Sequence, residues 1–173
     1  MSSERHGSLE NDSARTVAAS RIDSTGASPE VTLEQLVPGN APVESIRDAA
    51  TVLAESFSSE PWRSDDIATD LAVALRDPAV AVALARVDGE PAAMAKATTF
   101  DRASYLASIG TRPRFRGRGL GALVTRMAIV HGLRQGARWV YLGVFTENES
   151  AVRLYRRLGF EPIGDAAPDL LLA

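Results

Sequence analysis

Apolar and polar positions alternate along Val31-Thr32-Leu33-Glu34-Gln35-Leu36-Val37, and the alternation stops at Pro38-Gly39. A period of two ending on Pro-Gly predicts a half-buried strand and a turn. The period then lengthens. Ile46, Ala49, Ala50, Leu53 and Phe57 recur at helical spacing, one apolar face of a first helix. A second helix is predicted with Ser64 as N-cap, Asp65 and Asp66 in its first turn, and Ile67, Leu71 and Leu75 inward before Pro78. Two strand-like runs, Val80 to Val87 and Pro91 to Thr99, meet at Asp88-Gly89, a strong hairpin signal. Ala103 to Thr111 reads as the next strand in succession.

Beyond Thr111 the period changes again. Leu120, Leu123, Val124, Met127 and His131 form a helical stripe that ends at Gly136, and His131 reads as a core residue on it. Trp139 to Val144 is short, apolar and β-rich, as a buried parallel strand would be. The last helix is expected to begin at Thr146 or Asn148, since Thr146 and Glu149 have capping-box spacing. It carries Ala151, Leu154, Tyr155 and Leu158 and closes at Gly159, with Phe160 to Ile163 and Leu170 to Leu172 as two final short strands. An antiparallel meander followed by strand–helix–strand–helix predicts a single α/β (α+β) domain. Its mixed central sheet should hold about six or seven strands, antiparallel in the N-terminal part, with about four helices on both faces.

The polar residues 1–28 lack any apolar period and are expected to be a disordered tail, leaving 29–173 as the domain. No apolar h-region of about 7–15 residues marks a signal peptide, and no run approaches the ~18 apolar residues of a membrane span. A soluble, cytoplasmic protein is the expectation, with no membrane partner.

Composition narrows the chemistry. The chain has 173 residues, 45% of them hydrophobic, and no cysteine, which removes disulfides, thiolate metal sites and a cysteine nucleophile. Two histidines, His6 and His131, exclude a multi-histidine metal site, so no metal is expected. A net charge of -3 argues against nucleic acid as a partner. Against that acidic balance stand 18 arginines and a single lysine, Lys96. Four of the arginines fall within seven residues.

Those four lie in Ile109-Gly110-Thr111-Arg112-Pro113-Arg114-Phe115-Arg116-Gly117-Arg118-Gly119-Leu120-Gly121, where a strand runs through a glycine-rich turn straight into an amphipathic helix. Glycines remove side chains from the path of a ligand, and the first N–H groups of a helix lack internal acceptors. Such a junction binds anions, phosphates above all. The dinucleotide fingerprint does not fit, because about four strands precede the loop and Gly143-Val144 stand where its acid belongs. A phosphate-binding Gly-Lys-Ser/Thr is also absent.

Arg116-Gly117-Arg118-Gly119-Leu120-Gly121 resembles the Arg/Gln-x-x-Gly-x-Gly/Ala signature of the GCN5-related N-acetyltransferase (GNAT) superfamily, led in by Ile109-Gly110-Thr111-Arg112-Pro113. A second block, Leu142-x-Val144-x-x-x-Asn148-x-x-Ala151-x-x-Leu154-Tyr155-x-x-x-Gly159-Phe160, is similar to the family's later strand–helix motif. The resemblance is strong over Tyr105 to Phe160 and compatible in layout from Val31 onward. It implies acetyl-CoA or another acyl-CoA as co-substrate and transfer to an amine by direct attack, without a covalent enzyme intermediate. Backbone groups of Ile109 and Thr111 would then pair with the pantetheine arm where the fourth and fifth strands splay apart, with Gly110 a plausible bulge. The amides from Arg116 through Gly117, Arg118, Gly119 and Leu120 to Gly121 would hold the pyrophosphate, and Asn148 would approach the pantetheine arm. Tyr155 would protonate the leaving thiolate. Taken alone, Asn148 is a helix cap and Tyr155 a core aromatic.

One family feature is missing. Many members carry a carboxylate on the strand before the loop as general base; here Ser108 holds that position, and Ala103 to Thr111 contains no Asp or Glu. Glu60 and Trp62, between the first two helices, are the nearby candidates for a base and a pocket wall. Only nine residues follow Gly164, so that side of the cleft should be short. Two functions follow: an N-acetyltransferase acting on a small-molecule or peptide/protein amine, as a monomer or homodimer, or an acyl-CoA-binding sensor or assembly subunit with little transfer.

Overall fold

The structure, a computed structural model, describes residues 28–57 and 63–163. Their order is β1 (Val31–Leu36), α1 (Val43–Ser56), α2 (Arg63–Ala74), β2 (Val80–Val87), β3 (Glu90–Phe100), β4 (Ala103–Thr111), a single 3-10 turn (Pro113–Phe115), α3 (Leu120–Arg134), β5 (Trp139–Leu142) and α4 (Glu149–Arg157). The sheet runs β1-β2-β3-β4-β5, antiparallel up to β4 and parallel between β4 and β5. The mixed α/β domain with four helices is therefore the one expected. The strand number is not: five strands form among the described residues, against six or seven.

The difference lies after α4. Residues Phe160–Ile163 take no strand conformation, and Leu170–Leu172 fall outside the described residues. Two boundaries also move. β5 stops at Leu142, short of Val144, and α2 starts at Arg63, which puts Ser64 in its first turn and the cap position outside the described residues. Phe57, expected on the apolar face of α1, is instead its exposed C-cap.

The two faces of the sheet are packed differently. Leu36, Val82, Leu84 and Met94 carry α1 and α2 through Ile46, Ala49, Val52, Leu71 and Leu75. The opposite face is lined by alanines, Ala83, Ala85, Ala93, Ala95 and Ala97, which pack against Leu120, Val124 and Ala128 of α3. Small residues let a helix approach a sheet closely. A Cβ added at Gly132 of α3 would lie 2.6 Å from the Ser104 Cβ of β4, so only glycine fits there. That approach sets the seat of α3, and hence of its N-terminus, against β4.

Candidate functional site

β4 changes partner and face as it runs. Its ladder with β5 pairs Ala103 with Trp139 through to Leu106 with Leu142 and ends there. On the other edge its pairing with β3 continues to Thr111. From Ala107 onward the two parallel strands part, as expected, and leave one edge of β4 open. Arg112 N–H donates to the Ala92 carbonyl of β3 (2.9 Å), so by alternation Thr111 and Ile109 turn their backbone groups toward that open edge.

A bulge accompanies the parting, one step from the expected place. Lys96 pairs with Ala107 and Met94 with Gly110, so Ser108 and Ile109 together oppose Ala95 alone. Ser108 sits at φ 53, a conformation that costs a non-glycine residue energy and that the surrounding ladder enforces. The extra residue reverses which side chains face α3: Leu106 does so before the bulge, Ile109 after it. Gly110 answers a different need. A Cβ there would lie 2.7 Å from Ser56 Oγ, so it admits the end of α1.

The glycine loop follows. Phe115, buried, anchors it, with the guanidinium carbons of Arg114, Arg118 and Arg112 lying 4.9, 5.4 and 5.9 Å from its ring centroid. Gly117 and Gly119 adopt φ 77 and 78, with no atom within 4 Å of an added Cβ, so conformation demands glycine and the space above them is open. Gly119 is the N-cap of α3 and offers no side-chain acceptor. The first helical N–H to find a backbone partner is Leu123, to Gly119 O at 3.2 Å. Among the described residues the amides of 117–122 have no acceptor, a row of donors at the positive end of the helix. The amide of Arg116 is different: it closes the 3-10 turn on Pro113 O (3.2 Å).

The four arginines do not act as one cluster. Arg112 is buried and bidentate to Glu55 of α1 (2.7 and 2.6 Å), and it also donates to Pro91 O (2.8 Å). The Arg112 hydrogen bond holds the Glu55 carboxyl below the usual carboxylate range. Arg114 pairs with Glu90 (2.6 Å). Arg116 and Arg118 make no ion pair among the described residues, and both are exposed. The local sequence hides this, since Glu55 lies 57 residues from Arg112.

α4 completes the site. Its cap is Asn148, not Thr146: Asn148 Oδ1 accepts from the Ala151 amide (3.2 Å) and from Ser150 Oγ (3.0 Å). At the other end Phe160 N–H reaches Tyr155 O (3.0 Å) and Gly159 N–H reaches Arg156 O (3.0 Å), a Schellman closure with Gly159 at φ 91. Phe160 then meets the Tyr155 ring edge-on, centroids 5.9 Å apart. Tyr155 is the one buried residue of α4, and burial pushes its phenol up to about 12. Leu154 beside it lies 3.3 Å from where a Gly121 Cβ would be, so α4 touches the start of α3. An apolar cavity of about 760 Å³ opens along the outer side of β5 and α4, lined by Val140, Leu142, Val144, Val152, Tyr155 and Phe160 among others.

The structure thus brings the open β4 edge, the donor row and α4 to one place. Ser108 is at the bulge, and the described part of β4 holds no carboxylate. Glu60 and Trp62 lie outside the described residues. His131 is half-buried between β1 and α3, accepting from Gln35 on Nδ1, while its Nε2 has no partner among the described residues. No helix of the described residues is long and apolar enough to cross a membrane.

The chain is similar to several known proteins. A mycothiol acetyltransferase of Thermobifida fusca is 45% identical over 53 residues, 31% of this chain and 16% of that protein. The chain spans only 16–22% of the length of the curated relatives matched over such short stretches. A candidate ribosomal protein bS18-alanine N-acetyltransferase of Bacillus subtilis is 28% identical over 125 residues, 72% of this chain and 80% of that one. Among solved structures, an aminoglycoside N-acetyltransferase in complex with CoA superposes with a TM-score of 0.68 at 18% identity, covering 83% of this chain and 96% of the other. The model of the Acetyltransferase (GNAT) family matches residues 44–160, and the chain belongs to that family.

Proposed function

We propose that the protein is an acyl-CoA-dependent N-acetyltransferase that moves an acetyl group to a primary amine by direct attack. The observation that carries this reading is the row of acceptor-less amides at residues 117–122 beside the edge where β4 leaves β5. The fit of the co-substrate rests on the same features. The donor row with Arg118 suits a pyrophosphate, and the outward backbone groups of Ile109 and the outward N–H of Thr111, whose carbonyl accepts from Arg116, suit the amides of a pantetheine arm. Bound there, acetyl-CoA supplies an activated thioester carbonyl.

The remaining chemistry belongs to the chain. Binding both reactants in one cleft supplies proximity. As the neutral amine nitrogen bonds to the carbonyl carbon and the C–S bond breaks, the nitrogen sheds its proton to water and charge collects on sulfur. Tyr155 is the donor this reading assigns to that charge. A phenol pushed up to about 12 keeps its proton against a thiol of ordinary acidity near 8.5, so Tyr155 stabilises the thiolate mainly by a hydrogen bond. Asn148 Oδ1 is engaged as a cap, which leaves its amide NH2 as the group free to reach a ligand. The relative named as a ribosomal protein alanine N-acetyltransferase and the neighbour named as an aminoglycoside N-acetyltransferase support an amine acceptor; a small-molecule or peptide/protein amine is the proposed class here.

A second reading, an acyl-CoA-binding sensor or subunit with little transfer, is favoured by one observation: Ser108 fills the bulge, and β4 holds no acid. Thermal unfolding with and without acetyl-CoA, followed by thiol release across a panel of amines, separates the two. Stabilisation with turnover on at least one amine supports the transferase. Stabilisation without turnover on any supports the sensor, and no stabilisation overturns both.

A further inference from the structure

Arg116 stands first in the glycine-loop signature, yet its side chain turns inward to main chain. Its Nε donates to the Thr111 carbonyl (3.2 Å) and its Nη2 to the Ser56 carbonyl (2.9 Å). Ser56 is the last residue of α1, so its carbonyl has no partner inside the helix and lies at the negative end of the dipole. α1 has no basic residue in its own last turn. Arg116 therefore caps α1 from 60 residues away. Thr111 is the last residue of β4, on the open edge. One planar guanidinium thus joins the end of α1, the end of β4 and the start of the loop.

Neighbouring contacts reinforce the same junction. Arg112 grips Glu55, one residue before Ser56, and Gly110 gives Ser56 room against β4. We propose that Arg116 is a positioning residue for acyl-CoA: its guanidinium holds the loop from Gly117 to Gly121 in register with the β4 edge and does not contact the phosphates. The anion's charge is met by the amides of the loop and by Arg118, which has no acid partner among the described residues. This rests on the acyl-CoA reading of the site.

The chemistry of the two roles differs. A phosphate contact needs charge, whereas gripping two carbonyls needs directed donors. Lysine keeps the charge but not the planar fork; glutamine keeps neutral donors for the Thr111 carbonyl and has no charge. The test is acetyl-CoA affinity by calorimetry at several salt concentrations for the wild type, Arg116→Ala, Arg116→Lys, Arg116→Gln and Arg118→Gln. Positioning predicts that Arg116→Ala weakens binding about tenfold, the scale of lost hydrogen bonds from a charged donor. It also predicts that Gln retains more affinity than Lys. The slope of log Kd against log salt stays that of the wild type for every Arg116 variant and becomes shallower only for Arg118→Gln. Greater affinity with Lys than with Gln, a shallower slope in Arg116→Gln, or unchanged affinity in Arg116→Ala overturns the proposal. Should Arg116→Ala fail to fold, the Lys and Gln pair decides. No binding by the wild type overturns the acyl-CoA reading and the proposal with it, an outcome distinct from the others.

Discussion

Tyr155 owes its burial to two local facts, the helical register that turns it inward and the Schellman closure that lays Phe160 against its ring. The first is visible in the sequence as the spacing of Ala151, Leu154, Tyr155 and Leu158. The second needs Gly159 at positive φ, which the sequence also marks. Neither reveals how far burial raises the phenol. Replacing Tyr155 by Phe removes one donor and little volume, so kcat should fall about 10- to 100-fold, the range for losing a hydrogen bond to a developing charge. Acetyl-CoA affinity should change by no more than about twofold, because the bond forms only as sulfur becomes charged. A phenol at about 12 stays protonated through the assay range, so the wild-type profile should show no Tyr155-dependent decline up to about pH 10. A fall in the wild type near pH 9 that vanishes in Tyr155→Phe would contradict that reading, as would an unchanged kcat in the variant.

Elements bring separate residues into one function, and here α4 gives the sharpest test. Asn148 Oδ1 caps the helix while its NH2 faces no partner among the described residues, so the capping role and the proposed binding role fall on different atoms. Asn148→Ala loses both and should cost about 1 kcal/mol of stability as well as affinity. Asn148→Asp keeps the capping oxygen and places a negative charge at the positive end of α4, so urea unfolding should show stability preserved. Its acetyl-CoA Kd should nonetheless rise, since the donor is gone; an unchanged Kd in both variants would leave Asn148 a cap alone. Element boundaries elsewhere show what local pattern can and cannot say. The strands, the Asp88-Gly89 hairpin and α3 follow from periodicity and turn chemistry, because each depends on residues near in sequence. The bulge at Ser108 does not, because it is set by register across β3, and a serine at φ 53 has no local signature. Gly110 is the local candidate for a bulge in the sequence, whereas its need comes from Ser56 of a distant helix.

At the scale of the whole molecule, the arginine run shows why a site can be legible while its wiring is not. In sequence, Arg112 to Arg118 concentrate charge on one loop, but Arg112 and Arg114 find Glu55 and Glu90 once the chain folds. The donor row is legible in the sequence; the ties of Arg112 and Arg116 to α1 and of Arg114 to β3 are not. These long-range ties make stability depend on pH in a predictable direction. Burial holds His131 below its usual 6.5, with Arg134 adding repulsion, and the Arg112 hydrogen bond holds Glu55 below 4.5. In both cases the unfolded chain binds protons more readily than the folded one. Stability is therefore fully present above the unfolded value and is lost as pH falls toward the folded one. The decline should come in two stages, the first beginning below about pH 6.5 from His131 and the second below about pH 4.5 from Glu55. Urea midpoints measured from pH 8 to pH 4 read it directly. His131→Gln should flatten the upper stage and leave the lower one, whereas Glu55→Gln should weaken the lower stage and already lower the midpoint at pH 7, because Arg112 is then buried without a charged partner. A wild-type midpoint that stays level from pH 8 to pH 5.5 would mean that His131 is as easily protonated in the folded protein as in the unfolded chain.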